Sequence, residues 1–192
     1  SRKAPPAVSP GAAPHTGPAR LAAAAGLAAG AGLVTVASPS DAMAVNAAHL
    51  TAVMLREVET VEVLGKWFEA AKLSAFVLGP GFGIGARARQ FVLALHGRPL
   101  VLDADGITSF RNDRDSLFDA YRGGEPRLVL TPHDGEFARL FPEIAEDGER
   151  SKVEKAVAAA KLANAVGVYK GGDTVIAGPD GRARINENGS AW

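Results

Sequence analysis

The sequence predicts an α/β domain in which a central, mostly parallel sheet carries helices on both faces. Short apolar runs typical of buried strands alternate with longer segments whose apolar residues recur at helical spacing. Glycine- and proline-rich turns separate the two kinds of segment along most of the chain. At 192 residues, the chain is long enough for one well-buried domain and short for two. We therefore expect a single three-layer α/β domain over residues 16–192.

The chain begins with a proline- and alanine-rich stretch, which predicts an irregular lead-in over residues 1–15. A helix is predicted over residues 18–29, because Pro18 suits a first helical turn and Gly30 ends the segment. Residues 21–40 carry no charge, so a membrane span is an alternative. Their high alanine and glycine content gives little drive for insertion, which favours a helix packed closely on a sheet.

The remaining elements follow from the same periodicity. Apolar runs predict strands over residues 33–37, 53–55, 75–78, 99–105, 127–130, 168–170, 174–177 and 183–186. Helical spacing predicts helices over residues 41–49, 61–72, 86–96, 115–121 and 152–165, and another that begins at Asp134. The turn "GPDG" joins the last two strands as a hairpin.

Charge and composition argue against several classes of protein. The 21 basic and 21 acidic residues cancel, which disfavours a nucleic-acid-binding protein that relies on bulk positive charge. The absence of cysteine removes disulfides, thiolate zinc sites and cysteine nucleophiles, and fits an intracellular protein. The four histidines lack the H-x-x-x-H spacing of a helical zinc site.

A glycine-rich loop, "LGPGFGIGA", follows the predicted strand 75–78. Glycines allow close approach of a ligand, and the amide N–H groups before a helix can face an anion. The spacing Gly81-x-Gly83-x-x-Ala86, with Asp103 twenty residues after Gly83, also fits a loose dinucleotide fingerprint. A proline inside the loop and the loop's position in mid-chain are unusual for that fingerprint. A tight turn is the structural alternative.

Two carboxylates, Asp103 and Asp105, occur in "VLDADG" at the carboxyl end of another strand. Ligands of open α/β sheets bind beyond such strand ends. The pair could hold Mg²⁺ through water or orient phosphates, and the structural alternative is a helix cap with a turn. Asp103 lies nearer the sheet and is the stronger candidate.

A lone histidine stands at a strand-to-helix junction in "RLVLTPHDGEFARLF". Asp134 and Glu136 fall in the first turn of the following helix, where negative charge is stabilising. His133 fits neither a core position nor a cap, so we expect it to lie beside a ligand. An ordinary surface histidine is the alternative.

The stretch "YKGGDT" combines a cation, backbone N–H groups and a hydroxyl at the end of a strand, which is typical of an anion site. It lacks the spacing of a P-loop. A Gly-Gly hairpin turn is the structural alternative. The candidate residues are Lys170, Gly171, Gly172, Asp173 and Thr174.

Taken together in chain order, "TGPARL…GAGLVTVA", "LGPGFG", "VLDADG", "LTPHDGEFARLF" and "KGGDTVIAGPDGRARIN" closely resemble the ADP/ATP-dependent NAD(P)H-hydrate dehydratases. These are repair enzymes of the ribokinase-like superfamily. The resemblance covers about residues 16–192, and "LTPHDGEFARL" is its most specific part.

The resemblance implies a ribokinase-like three-layer sandwich that dehydrates hydrated NADH or NADPH, consuming ADP or ATP with Mg²⁺. It implies a cytoplasmic, nucleotide-binding lyase. The balanced charge and the weak hydrophobicity of residues 21–40 lead us to expect no binding to nucleic acid or membrane, and the alanine- and glycine-rich helix 18–30 leads us to expect a homo-oligomer. Expected contacts to the hydrated cofactor are Gly17, Pro18, Gly81, Gly83, Asp103 and His133. The adenine nucleotide is expected at Lys170, Gly171, Gly172, Asp173 and Thr174.

Three departures from the family pattern stand out. Pro18 replaces the alanine that usually follows "TG", and no apolar first strand precedes that dipeptide. The family's catalytic aspartate lies in a G-[ST]-G-D segment, and no G-x-G-D occurs in these 192 residues. We therefore expect no catalytic residue and no dehydratase activity in the 192 residues alone, through omission or truncation of sequence.

Three other functions fit parts of the pattern. A ribokinase-like kinase of a small alcohol, such as a vitamin precursor, would share the fold. A non-catalytic nucleotide-binding module would explain the missing G-x-G-D. A dehydrogenase would require its glycine loop at the first strand-to-helix turn, and here that loop comes far later.

Overall fold

The computed structural model describes residues 6–9 and 15–186. Within these ranges one nine-stranded sheet runs in the order β3-β2-β1-β4-β5-β6-β7-β8-β9. The strands are β1 (Pro6–Ser9), β2 (Thr35–Ser38), β3 (Met54–Glu57), β4 (Ala75–Leu78), β5 (Leu100–Leu102), β6 (Leu128–Leu130), β7 (Ala165–Tyr169), β8 (Thr174–Ala177) and β9 (Ala183–Asn186). Strands β1 to β7 pair in parallel, and β8 and β9 continue the sheet antiparallel.

Helices connect the parallel strands, as the alternating pattern predicts. They are α1 (Gly17–Ala28), α2 (Ser40–His49), α3 (Val61–Ala70), α4 (Ala86–Ala94), α5 (Ala104–Thr108), α6 (Arg114–Ala120), α7 (Asp134–Leu140), α8 (Pro142–Ala145) and α9 (Lys152–Ala163). Two of them, α5 and α8, are too short to show a helical period and were not predicted. None of the helices in the described ranges is long and apolar enough to cross a bilayer.

The prediction of an irregular lead-in over residues 1–15 is wrong for residues 6–9. These residues form β1, which lies in the interior of the sheet between β2 and β4. The prediction looked for large apolar side chains, whereas a strand enclosed by two neighbours can use small ones, such as the buried Ala7. Pro6 is tolerated because it is the first residue of its strand. Residues 1–5 and 10–14 lie outside the described part.

The helices divide between the two faces of the sheet. Helices α3, α4, α6 and α9 enclose the larger apolar core, whose fully buried side chains include Leu102, Phe110 and Leu128. Helix α1 packs on β1 and β2 through Ala19 and Ala23, as expected of a small-residue helix. The side chains of both alanines are fully buried, which allows the close approach.

A row of valines runs across the face of the sheet that carries α1. Val77, Val101, Val129 and Val166 are successive cross-strand neighbours and remain half-buried. A hollow of about 620 Å³ opens beside Val166, close to the first residue of β7. It therefore lies at the opposite end of the sheet from the carboxyl ends of the parallel strands, away from every predicted site residue.

An ion pair joins α6 to α8 and makes stability sensitive to acid. The Arg114 guanidinium donates to both carboxylate oxygens of Glu143 and to the Leu140 carbonyl. The hydrogen bonds from Arg114 lower the pKa of Glu143 from 4.5 to about 2. Because the folded-state pKa is depressed, this contribution is present above about pH 4.5 and is lost as the pH falls towards about 2.

We expect Glu143→Gln to be less stable than the unmodified protein at neutral pH, and the difference to shrink towards zero as the pH falls through about 2, the folded-state pKa of Glu143. Urea unfolding at a series of pH values measures the difference. A gap between the two proteins that stays constant down to this pH would contradict the assignment.

Candidate functional site

The predicted site residues lie at one end of the sheet. In a parallel sheet the carboxyl ends of all strands point the same way. The glycine loop follows β4, Asp103 follows β5, His133 follows β6 and Lys170 follows β7. Gly17 opens α1, in the connection that leaves β1. The strand order reverses between β1 and β4, and ligands of open α/β sheets bind beside such a reversal.

His15, two residues before α1, touches the loop that leaves β4 at this reversal. A Cβ atom at Gly81 would lie 2.3 Å from the carbonyl oxygen of His15, so only glycine permits the approach. Gly17 and Pro18 follow directly and are exposed. The structure thus brings the predicted contacts at residues 17, 18 and 81 together. Pro18 fits the first turn of α1, where no intrahelical N–H donor is needed.

The glycine loop does not offer all of its N–H groups to an anion, and that prediction is wrong at two positions. The Gly83 N–H donates to the Asp105 carboxylate at 2.9 Å, and the Gly85 N–H donates to the Ser109 hydroxyl at 3.0 Å. Asp105 therefore fixes the loop. A ligand would approach Gly83 through its open Cα side, where no atom lies within 4 Å of a Cβ position.

Asp103 joins the ends of three strands. Its Oδ1 accepts a hydrogen bond from the Thr131 hydroxyl at 2.7 Å and one from the Lys170 ammonium at 2.8 Å. Its backbone carbonyl packs directly on Gly79. The alternative of a side-chain helix cap is not observed, because Asp103 is the N-cap residue of α5 without a capping hydrogen bond from its side chain.

The prediction that His133 is not a cap is wrong. His133 is the N-cap of α7, and its Nδ1 accepts hydrogen bonds from the N–H groups of Gly135 at 3.0 Å and Glu136 at 3.4 Å. Glu136 in turn accepts from the His133 N–H at 3.0 Å. The predicted stabilisation of this helix start by Glu136 is confirmed. Sequence reasoning missed the cap because Ser, Thr, Asp and Asn are the usual N-cap residues.

The cap also sets the hydrogen-bonding character of the exposed imidazole edge. Because Nδ1 accepts from the backbone, the hydrogen of the neutral ring sits on Nε2. The His133 side chain is 56% exposed, and Nε2 lies 3.4 Å from the Glu136 carboxylate. His133 can therefore present an N–H donor at the strand ends while it holds the start of α7.

The buried capping box gives a stability prediction. Glu136 is only 5% exposed, so Glu136→Ala should leave the His133 N–H without its acceptor and lower the free energy of unfolding by about 1–3 kcal/mol. Glu154→Ala removes the equivalent acceptor from the exposed capping box of α9 and is the matched control. Urea denaturation should show the larger loss for Glu136→Ala. Equal losses would contradict the role of burial.

A second lysine at the site was not predicted. Lys152, the first residue of α9, donates to the Asp173 carboxylate at 2.8 Å and to its backbone carbonyl. The ammonium also lies over the Tyr169 ring and against Gly171. The predicted nucleotide loop is thus held by α9, and the bond from Lys152 lowers the pKa of Asp173. The "SKVE" capping box marks this helix start in the sequence.

The histidine and lysine regions are neighbours. The Lys170 N–H donates to the Pro132 carbonyl at 2.9 Å, one residue before His133. The Tyr169 ring stacks on Phe137 of α7, with ring centres 4.1 Å apart and planes 3° from parallel. Burial is the main cause that raises the pKa of Tyr169 to about 12. The end of β7 and the start of α7 therefore form one packed unit.

Comparisons with known proteins identify the family of this chain. The profile of the NAD(P)H-hydrate dehydratase family matches residues 8–192. The bifunctional NAD(P)H-hydrate repair enzyme Nnr of Moorella thermoacetica is 35% identical over 186 residues, which are 91% of this chain and 34% of that protein. Nnr of Salinibacter ruber is 36% identical over 184 residues, 90% of this chain and 33% of that protein. The chain thus spans about one third of the length of these relatives.

Solved structures show the same fold. The ADP/ATP-dependent NAD(P)H-hydrate dehydratase of Bacillus subtilis, co-crystallised with ATP/Mg²⁺ and soaked with CoA, aligns with a TM-score of 0.76 at 23% identity. That alignment covers 99% of this chain and 67% of the Bacillus chain. A ribokinase-like superfamily protein of Enterococcus faecalis aligns with a TM-score of 0.72 at 22% identity, over 92% of this chain and 61% of its own. The ribokinase-like fold is confirmed, and with the profile match over residues 8–192 the chain belongs to the NAD(P)H-hydrate dehydratase family.

Proposed function

We propose that the protein carrying this chain dehydrates hydrated NADH or NADPH back to the normal cofactor and consumes ADP or ATP with Mg²⁺. The observation that carries the proposal is the position of the family's motif residues. Those at residues 17–18, 81–83, 103, 133 and 170–174 follow neighbouring strands at one end of the sheet. The family match over residues 8–192 supports the same reading.

The hydrated cofactor would lie over the start of α1 and the loop that leaves β4, and extend towards His133. Gly81 and Gly83 allow close backbone approach, and the Nε2–H of His133 supplies a donor to a polar group. The adenine nucleotide would lie at Lys170 to Thr174, where an ammonium and a glycine-rich turn can face phosphate oxygens. Because the chain has no net charge, such local groups must balance the phosphates.

Mg²⁺ would reach this site with the nucleotide. Among residues 6–9 and 15–186, no three histidine, aspartate or glutamate side chains are grouped to hold a metal ion. Mg²⁺ commonly keeps several waters and takes its remaining ligands from substrate phosphates and one or two carboxylates. The residues at the strand ends fit a Mg²⁺ ion that is held in this way, mainly by water and the phosphates of the nucleotide.

The resemblance assigns activation of the reacting hydroxyl to the aspartate of a G-[ST]-G-D segment, which these 192 residues do not contain. We therefore assign to them the binding of both nucleotides and no catalytic residue. As a test, the full-length protein is mixed with hydrated NADH, ADP and Mg²⁺. We expect return of the absorbance of reduced nicotinamide, and the 192 residues alone should give none.

The same assay separates the alternatives. Phosphorylation of a vitamin alcohol by the full-length protein, without repair of hydrated NADH, would favour a ribokinase-like kinase. Binding of ADP without any turnover would favour a non-catalytic nucleotide-binding module. Either result would overturn the proposed repair activity.

We further propose that the protein acts in the cytoplasm as a homo-oligomer. The alanine- and glycine-rich helix α1 supports the homo-oligomer, because Leu21 on its outer side is 73% exposed and its small residues allow close packing. Light scattering of the full-length protein tests the oligomer. We expect Leu21→Lys to shift it towards the monomer, and a monomeric unmodified protein would contradict the idea.

A further inference from the structure

The Asp103 carboxylate is held from two sides. Thr131 donates its hydroxyl to Oδ1 at 2.7 Å, and Lys170 donates its ammonium to the same oxygen at 2.8 Å. The Asp103 side chain is 27% exposed and that of Lys170 is 40% exposed. The pair is therefore partly shielded from solvent, and its electrostatic interaction is stronger than that of a fully exposed pair.

The backbone that carries Asp103 is also fixed. Its N–H donates to the Leu78 carbonyl at 3.1 Å, and its own carbonyl accepts from the Gly106 N–H at 2.9 Å. That carbonyl rests on Gly79, where a Cβ atom would lie 1.8 Å away. Asp103 is thus a rigid anchor built on the ends of β4 and β5.

Lys170 depends on such an anchor for a defined position. A free lysine side chain carries about 2 kcal/mol of rotamer entropy, which is lost when its ammonium is held at a phosphate. The bond to Asp103 fixes the ammonium before a ligand arrives. An ammonium has three N–H donors, and Asp103 uses one, so two remain for phosphate oxygens.

We propose that Asp103 is a positioning residue that orients Lys170 towards the phosphates of the adenine nucleotide, with Thr131 fixing the carboxylate. The inference rests on the proposed function, since it assigns a role within the same nucleotide site. It gives Asp103 a different role from the expected contact to the hydrated cofactor, because Oδ1 accepts from both Thr131 and Lys170.

Asp103→Asn in the full-length protein tests the inference through two separate binding measurements. Isothermal titration with ADP should give a dissociation constant about tenfold higher than that of the unmodified protein, the size of one charge-assisted hydrogen bond. The dissociation constant for NADPH, the product of the proposed reaction, should change by less than about twofold. Asp115→Asn, at a carboxylate that is 90% exposed, is the matched control and should change neither constant.

Thr131→Val provides a second test that keeps the ion pair intact. It removes the hydroxyl that donates to Asp103 at 2.7 Å and lies 3.4 Å from the Leu102 carbonyl, so the dissociation constant for ADP should rise about threefold and that for NADPH should stay unchanged. If Asp103→Asn fails to fold, the affinity of Thr131→Val for ADP alone tests the positioning role. An unchanged ADP affinity in a folded Thr131→Val protein would then overturn the inference.

Three results with Asp103→Asn would overturn the inference. Weaker NADPH binding with unchanged ADP binding would make Asp103 a cofactor contact. Unchanged binding of both nucleotides would make the ion pair merely structural. Tighter ADP binding would mean that the carboxylate neutralises Lys170 instead of positioning it.

The two proposals fail in different ways. Binding of ADP does not require turnover, so a full-length protein that binds ADP but repairs no hydrated NADH would contradict the proposed function alone. The tenfold effect of Asp103→Asn would still support the inference. An unmodified full-length protein that does not bind ADP would overturn the positioning role.

Discussion

Gly79→Ala is expected to lower the free energy of unfolding by about 3–5 kcal/mol or to prevent folding altogether. A Cβ atom at this position would lie 1.8 Å from the Asp103 carbonyl oxygen and 2.8 Å from its carbonyl carbon. The glycine also has a φ of +131°, which an alanine rarely adopts. Steric overlap and backbone strain therefore act together.

The overlap cannot be relieved by a small movement. The carbonyl that meets the new atom accepts a hydrogen bond from Gly106, and the N–H of Asp103 is bonded to Leu78. A shift of Asp103 would also break its bonds to Thr131 and Lys170. Urea denaturation followed by circular dichroism measures the loss.

Gly83→Ala is the matched control for this prediction. Gly83 also has a positive φ, +93°, but no atom lies within 4 Å of its Cβ position. This substitution should cost only the backbone strain of a left-handed conformation, about 1–2 kcal/mol. Equal losses in the two variants would show that the contact between Gly79 and Asp103 is unimportant.

Lys170→Met is expected to weaken ADP binding to the full-length protein by about a hundredfold or more. The variant keeps an unbranched apolar stem and removes an ammonium with two donors left for phosphate, each worth about 1.5–3 kcal/mol when charge-assisted. Neither the Gly171 nor the Gly172 backbone can replace a full positive charge. Isothermal titration with ADP, and separately with NADPH, measures the effect.

Lys72→Met is the control for Lys170→Met. Lys72 is exposed and follows α3, so it precedes β4 at the opposite end of the sheet. The Lys72→Met variant should therefore bind ADP with unchanged affinity. A Lys170→Met protein that is folded and binds ADP with unchanged affinity would show that the nucleotide does not bind at this loop.

The order of strands and helices is predictable from the sequence wherever large apolar residues set the period. Strands β4, β8 and β9 have the predicted bounds because polar or glycine-rich turns flank each run. The predicted strand over residues 99–105 ends early, at Leu102, since Ala104 adopts a φ of +46° and α5 begins there. Strand β1 escapes prediction because its place is fixed by β2 and β4, both distant in sequence.

The positions of the site residues are predictable, whereas their partners are not. His133 stands at a strand end as expected, yet its role as a cap depends on an imidazole nitrogen accepting two backbone N–H groups. Asp103 and Lys170 are 67 residues apart in sequence, so only the parallel pairing of β5, β6 and β7 brings them together. Lys152 reaches the predicted nucleotide loop from a helix that carries no anion motif of its own.

We expect two nucleotides to bind together at the carboxyl ends of the parallel strands. A crystal structure of the full-length protein with ADP, Mg²⁺ and NADPH tests it most directly. We expect phosphate oxygens within hydrogen-bonding distance of the Lys170 ammonium, and the nicotinamide nucleotide beside Gly81 with a polar group at the Nε2 of His133. Either nucleotide bound instead in the hollow beside Val166, at the opposite end of the sheet, would contradict this binding mode.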